Sequence, residues 1–215
     1  PDDRPGRGLG ANLRFDPTDR ALRGVFLAQL AVGVLGVLAM SSEFTTGMIR
    51  TSFAAVPGRR TLLLAKALVL GGVCLVVTMV SVFIAFFAGQ AVLSSGPVHA
   101  TISQHDVLRA VFGAGAFLTL IALLGLAIGT VVRRTPGAIS TLFGIVLIAP
   151  LLADALPDPW NTDVGKILPL NAGQAMFTVR VDPDVLTPGT GFIVLLCWVA
   201  VAFVIAAFAI SKRDV

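Results

Sequence analysis

Five stretches of this chain are long and apolar enough to cross a bilayer, and that limits the fold more than any other feature. A spanning helix needs about 20 mostly apolar residues. Such runs cover about residues 22–42, 62–93, 107–132, 136–156 and 189–210. The second is longer than one bilayer requires, so it tilts or reaches into water. Backbone polar groups in lipid must be satisfied internally, which admits helices or a closed barrel. Barrel strands alternate at period two, whereas these runs are unbroken. The expectation is an all-α, polytopic integral membrane helix bundle. Composition agrees, because 56% of the 215 residues are hydrophobic and 13% charged. A soluble domain carries about 25% charged residues. Cys74 and Cys197 lie inside apolar runs and read as small hydrophobes rather than as a disulfide.

Lysines and arginines near span ends set orientation. Arg50, Arg59, Arg60 and Lys66 lie between or beside the first two spans, Arg133 and Arg134 between the third and fourth, and Lys212 and Arg213 after the last. Alternating helices place all of them on one side. That side is expected to be cytoplasmic, in a multi-pass plasma membrane protein whose C-terminus is inside. The opposite side has a 94–104 loop without Lys or Arg. It also has a 157–187 segment in which Asp158, Asp163, Asp182 and Asp184 outnumber Lys166 and Arg180. Residues 1–20 are polar, charge-balanced and without the apolar core of a signal peptide. They are assigned to an extracytoplasmic segment, ahead of a transmembrane domain over 21–215. Counting back from the C-terminus puts the start outside, so a sixth span upstream is expected. The net charge of +4 follows topology and forms no basic patch interleaved with aromatics, so nucleic acid is not an expected partner.

The segment from Glu43 to Lys66 carries most of the information. Glu43 is the chain's only glutamate, at the point where the first span ends. Glu43 and Arg50 share a face if the segment is helical, and Ile49, Phe53 and Val56 share another. Gly47 weakens such a helix by about 1 kcal/mol relative to alanine, which favours a bend. Pro57-Gly58 is a turn signal. Spacing alone leaves two readings, a short amphipathic surface helix or a basic loop that only fixes topology.

This segment resembles the signature region of type-2 ABC (ATP-binding cassette) export permeases. It has Glu43-Phe44, Thr46-Gly47, Ile49-Arg50, Pro57, Arg59-Arg60 and Lys66 in the family's order. The likeness continues through Arg133-Arg134, the stretch from Leu168 to Met176, and a last span ending in Lys212-Arg213-Asp214. The resemblance implies a permease subunit of an ATP-driven exporter. The surface helix would contact a separate cassette ATPase, making Glu43, Phe44, Thr46, Gly47, Ile49, Arg50, Pro57, Arg59 and Arg60 the coupling interface. It further implies two ATPase copies, a second permease chain, identical or related, and ATP with Mg bound on the ATPase. No cofactor is expected in this chain. Spans poor in charge favour a hydrophobic or amphipathic cargo. The alternative is a non-transport membrane protein, such as an assembly or immunity factor, that binds partners through the same helix.

Residues 157–187 are too many for a structureless connection in a compact protein. Apolar residues between Val164 and Val179, with Trp160 suited to an interface, predict short helices dipping into the outer leaflet, broken at Pro169 and Gly173. The resemblance makes this an outer re-entrant cap, with Pro169, Asn171, Gly173 and Gln174 in it. Within the spans, Gln29 and Gln90 either line a path or hydrogen-bond a neighbouring helix, and Gly125 and Gly129 form a small-residue packing face. Pro150 predicts a kink. Nothing suggests an enzyme. The two histidines, His99 and His105, belong to the outer loop region, and no phosphate-binding Gly-Lys-Ser/Thr loop is present.

Overall fold

A computed structural model describes residues 24–49, 51, 58–93, 105–157, 160–178 and 186–212. Among these, all regular structure is helical. The chain forms α1 (Gly24–Thr46), α2 (Arg59–Leu93) and α3 (His105–Val132). Next come α4 (Thr135–Phe143), a π-helical stretch (Gly144–Ile148) and α5 (Ala149–Asp154). Two short helices follow, α6 (Trp160–Ile167) and α7 (Pro169–Phe177), and then α8 (Pro188–Lys212). Five helical spans are long and apolar enough to cross a membrane: α1, α2, α3, α8 and the combined helix from Thr135 to Asp154. The protein is thus a polytopic membrane helix bundle, with spans close to those expected from hydropathy.

α3 is the central post. In its most apolar stretch 78% of residues are buried, against 39% in α1 and 17% in α2. It can hold that place because its surface is cut away where other helices cross. A Cβ on Gly125 would lie 2.4 Å from the Gly33 carbonyl oxygen, and one on Gly129 2.7 Å from that of Val37. From the other side, a Cβ on Gly36 would lie 2.0 Å from the Ala122 carbonyl oxygen. The small-residue face expected at Gly125 and Gly129 therefore receives α1, backbone against backbone. The register Gly33–Gly125 and Val37–Gly129 makes α1 and α3 parallel. On α2, Gly71 faces Leu123 and Met79 faces Gly115, so α2 runs antiparallel to α3. A buried polar link crosses this second contact. The Thr78 hydroxyl donates to the Gly115 carbonyl at 3.1 Å and lies 3.1 Å from the Thr119 hydroxyl.

Pro150 follows a π-helical stretch in the fourth span, where a kink was expected. Its ring excludes a normal bond to the carbonyl of Val146. The ladder widens just before it, where the Ala149 N–H bonds back to the Gly144 carbonyl in an i→i+5 pattern.

The segment after α5 holds the two expected short helices. They part at Leu168, and Pro169 opens α7 at a first-turn position where a missing N–H costs nothing. Gly173 departs from expectation. It lies within α7 and breaks nothing. A Cβ there would lie 2.1 Å from the Phe117 ring, so the glycine serves close packing against α3. α7 is also clamped at two other points. A Cβ on Gly113 would meet the Met176 carbonyl at 2.4 Å, and one on Gly191 the Ala172 carbonyl at 2.3 Å. The Trp198 indole N–H donates to the Ile167 carbonyl at 2.9 Å. Trp198 lies about 15 Å along α8 from its first residue. The turn between α6 and α7 is therefore anchored on α8, well along it from its first residue.

Candidate functional site

One end of the bundle gathers six of the eight described Lys and Arg side chains. Glu43 and Phe44 occupy the last turn of α1, and Arg59 and Arg60 the first turn of α2. Here the sequence reading needs correction. Glu43, Phe44 and Thr46 complete the membrane helix rather than starting a separate surface helix, and Arg59 and Arg60 belong to the next one. Gly47 makes the expected bend, with φ +74°, a left-handed conformation that glycine adopts without a steric cost. The chain then turns back onto the bundle, because Ile49 is 1% exposed and packs with Met40, Leu126 and Ile210. Arg50 and Pro57 lie outside the described residues, as does most of the expected surface helix, of which Ile49 and Thr51 are described and helical.

Glu43 pairs with Lys66, at the start of α2. The carboxylate and ammonium are in contact, with side chains 24% and 20% exposed. Lys66 also donates to the Ala39 carbonyl at 3.3 Å. The pair ties the end of α1 to the start of α2, and partial burial makes such a pair stronger than one in open water. Its position at the C-terminal end of α1 suits the cation, which faces the negative end of the helix dipole.

Three arginines close the same end against α8. Arg59 donates to the Ile210 carbonyl at 3.3 Å, Arg60 to the Ser211 hydroxyl at 3.1 Å, and Arg133 to the Ala209 carbonyl at 3.3 Å. The last four carbonyls of a helix have no partner within it. Arginines from α2 and from the α3–α4 turn supply partners here, with charge matched to the dipole. Arg133 does more. Its guanidinium carbon lies 5.1 Å from the centre of the Phe44 ring, a cation–π distance. Phe44 in turn packs against the Met40–Ile49–Leu126–Ile210 cluster. Arg133 adopts φ +61°, at a cost of roughly 1–2 kcal/mol for a non-glycine residue. These contacts hold that turn. Ser41 and Thr135 complete the set with hydroxyls 3.0 Å apart, joining α1 to α4.

Of the residues assigned to coupling, Glu43, Phe44, Ile49, Arg59 and Arg60 thus converge. Thr46 is exposed and donates within α1, to the Ser42 carbonyl at 2.9 Å. Sequence reasoning gave Arg133 only a topological role and left Lys66 out of the interface. Both act over long sequence separation, and the cue available was their basic character at span ends.

At the other end, Asn171 and Gln174 line a cavity of about 410 Å³ beside α5, α6 and α7. Asn171 donates to the Gly165 carbonyl at 2.9 Å, bracing α7 on α6. Gln29 is 1% exposed within the bundle, and neither amide atom bonds to another described residue. Of its two readings, a hydrogen bond to a neighbouring helix is not seen among the described residues. Gln90 falls in the last turn of α2, with its side chain outside the description. No group of His, Cys, Asp and Glu among the described residues is arranged to hold a metal ion. No protein-family model matches the chain, and no curated protein matches it either.

Proposed function

We propose that this chain is the membrane-spanning permease subunit of an ATP-driven exporter of the type-2 ABC kind. In this reading two permease chains work with two cassette ATPase subunits, and ATP and Mg bind on the ATPase. The basic end faces the cytoplasm of a plasma membrane protein, and the α6–α7 hairpin is a re-entrant cap at the outer end. The cargo is hydrophobic or amphipathic, in keeping with spans that carry little charge.

The observation that carries the reading is the convergence at the basic end. The Glu43–Lys66 segment begins and ends in one knot, where Glu43–Lys66, Arg133–Phe44 and the arginine contacts to α8 meet. A displacement applied to residues 47–58 would reach α1, α2, α3 and α8 together. A loop that only fixed topology would need no such bracing. A motor acting from the cytoplasm needs a rigid lever of this kind, and a surface helix across residues 50–57 would complete it.

The test is co-purification with any cassette ATPase encoded beside it, followed by ATP turnover in lipid. Glu43→Gln and Arg133→Gln should keep the complex but lower permease-dependent turnover several-fold. Lys66→Met should act like Glu43→Gln, and the double variant should be no worse than either alone, because contacting residues couple by about 0.5–3 kcal/mol. A chain that purifies without any ATPase, or variants with parental turnover, would overturn the proposal.

A further inference from the structure

Gln29 is buried in the bundle, and both its carboxamide atoms are unpaired among the described residues. Polar groups without partners are costly at membrane depth, so this position needs a reason. α1 and the fourth span run antiparallel, as two contacts show. The Ser41 and Thr135 hydroxyls are 3.0 Å apart, and a Cβ on Gly33 would lie 2.8 Å from a methyl carbon of Leu142. Four residues further along each helix, in opposite directions, bring Gln29 level with Val146. Val146 is buried as well, in one core cluster with Val25 and Leu142.

Val146 lies in the π-helical stretch ahead of Pro150. The Ala149 N–H bonds to the Gly144 carbonyl, so the next carbonyl in that pattern, of Ile145, would need the N–H that Pro150 lacks. In an α pattern the Val146 carbonyl would lack it instead. Either way, this turn holds one more acceptor than its own helix has donors. A buried amide able to donate and a backbone carbonyl short of a donor thus stand at one level of neighbouring helices. In this packing they are not joined.

We infer that these groups are the two halves of a latch, and that the fourth span moves between two positions about a hinge at Gly144–Pro150. In the position seen here the latch is open. In the other, the Gln29 Nε2–H donates to the freed carbonyl of Ile145 or Val146. The fourth span suits such a motion. Sharp helix bends concentrate at prolines and π turns, and a Cβ on Gly144 meets nothing within 4 Å. In its most apolar stretch 28% of residues are buried, against 78% in α3, so less packing resists its tilt. The open position keeps Val146 and Leu142 in the core, and the closed one satisfies the two polar groups. Opposed terms of this kind leave a minor state at about 0.1–10% of the population. The device goes beyond the permease reading and does not depend on it.

Fluorine NMR relaxation dispersion, which reads μs–ms exchange, tests this in the full chain in detergent. Cys74 and Cys197 are replaced by alanine, and a trifluoromethyl thiol label is placed on Leu152→Cys, an exposed position beyond the hinge. A second chain labelled at Val204→Cys, exposed on α8, is the control. The parent should show dispersion at 152 and a flat profile at 204. Gln29→Met removes the amide at similar length, and Pro150→Ala restores the missing N–H. Each removes one half of the latch, and each should cut the dispersion at 152 at least about 5-fold, equivalent to about 1 kcal/mol between the two positions. The double variant should do no more than either alone. A flat profile at 152 in the parent would overturn the inference, and so would undiminished dispersion in either variant. Equal dispersion at 152 and 204 would mark a motion of the whole bundle and overturn it too. A flat parent combined with a lower Tm in Gln29→Met would assign Gln29 to a fixed bridge through buried water instead.

Discussion

Glycine in this chain has opposite consequences at positions that look alike in the sequence. Gly36 and Gly72 both lie inside apolar helices. A Cβ on Gly36 would be driven to 2.0 Å from a backbone oxygen of α3, whereas a Cβ on Gly72 meets nothing within 4 Å. Gly36→Ala must push α1 off the central helix, and overpacking of that kind costs about 1–3 kcal/mol. Gly72→Ala gains helix propensity, up to about 1 kcal/mol. Thermal melting in detergent should show Tm falling in the first variant and unchanged or raised in the second. A fall in both would mean that the α1–α3 crossing is not what makes Gly36 sensitive. Arg133 is the counterpart at the basic end. It is a non-glycine residue in the left-handed region, held there by its contacts to Phe44 and Ala209. Neither distinction can be made from local sequence, because each depends on a residue brought close by the fold.

Among the elements, the α6–α7 hairpin is the one whose stability depends most on distant partners. The Ile167 carbonyl, at the turn between the two helices, is met by the Trp198 indole. Trp198→Phe keeps the ring and removes the donor. The loss of about 0.5–1.5 kcal/mol should speed amide hydrogen exchange in α7 by roughly 2- to 12-fold, while exchange in α3 stays as it was. Uniform acceleration would indicate global destabilisation and refute a local latch. The two helices were legible in the sequence, because the proline at 169 and the apolar spacing before it are local signals. The role of Gly173 was not, since only the Phe117 ring explains it. The same division runs through the basic end. The bend at Gly47 was readable from residue type. The partner of Glu43 was not, because helix periodicity compares neighbours on one segment and Lys66 lies on another helix.

For the whole molecule, hydropathy sufficed to find five spans, since length and apolar content are the membrane's own requirements. Packing order was beyond it. α3 is no more apolar than α8, yet α3 is the buried centre and α8 is largely exposed. The difference lies in where glycines admit neighbouring backbones. Orientation decides function at this scale, because an ATPase can reach the knot of Glu43, Lys66 and Arg133 only if that end is cytoplasmic. The packing alternates helix direction, so the basic residues described at that end share a side, and on the proposed reading that side is the cytoplasmic one. Single cysteines can check this in a chain whose Cys74 and Cys197 are replaced by alanine. Thr46 is exposed at the basic end and uncharged, and a Cβ on Gly189 at the other end meets nothing within 4 Å, so neither site disturbs packing or charge count. In intact cells, a membrane-impermeant maleimide should label Gly189→Cys, and should label Thr46→Cys only after permeabilisation. The reverse pattern would put the arginine-braced end outside the cell, away from ATP, and would remove the permease reading with it.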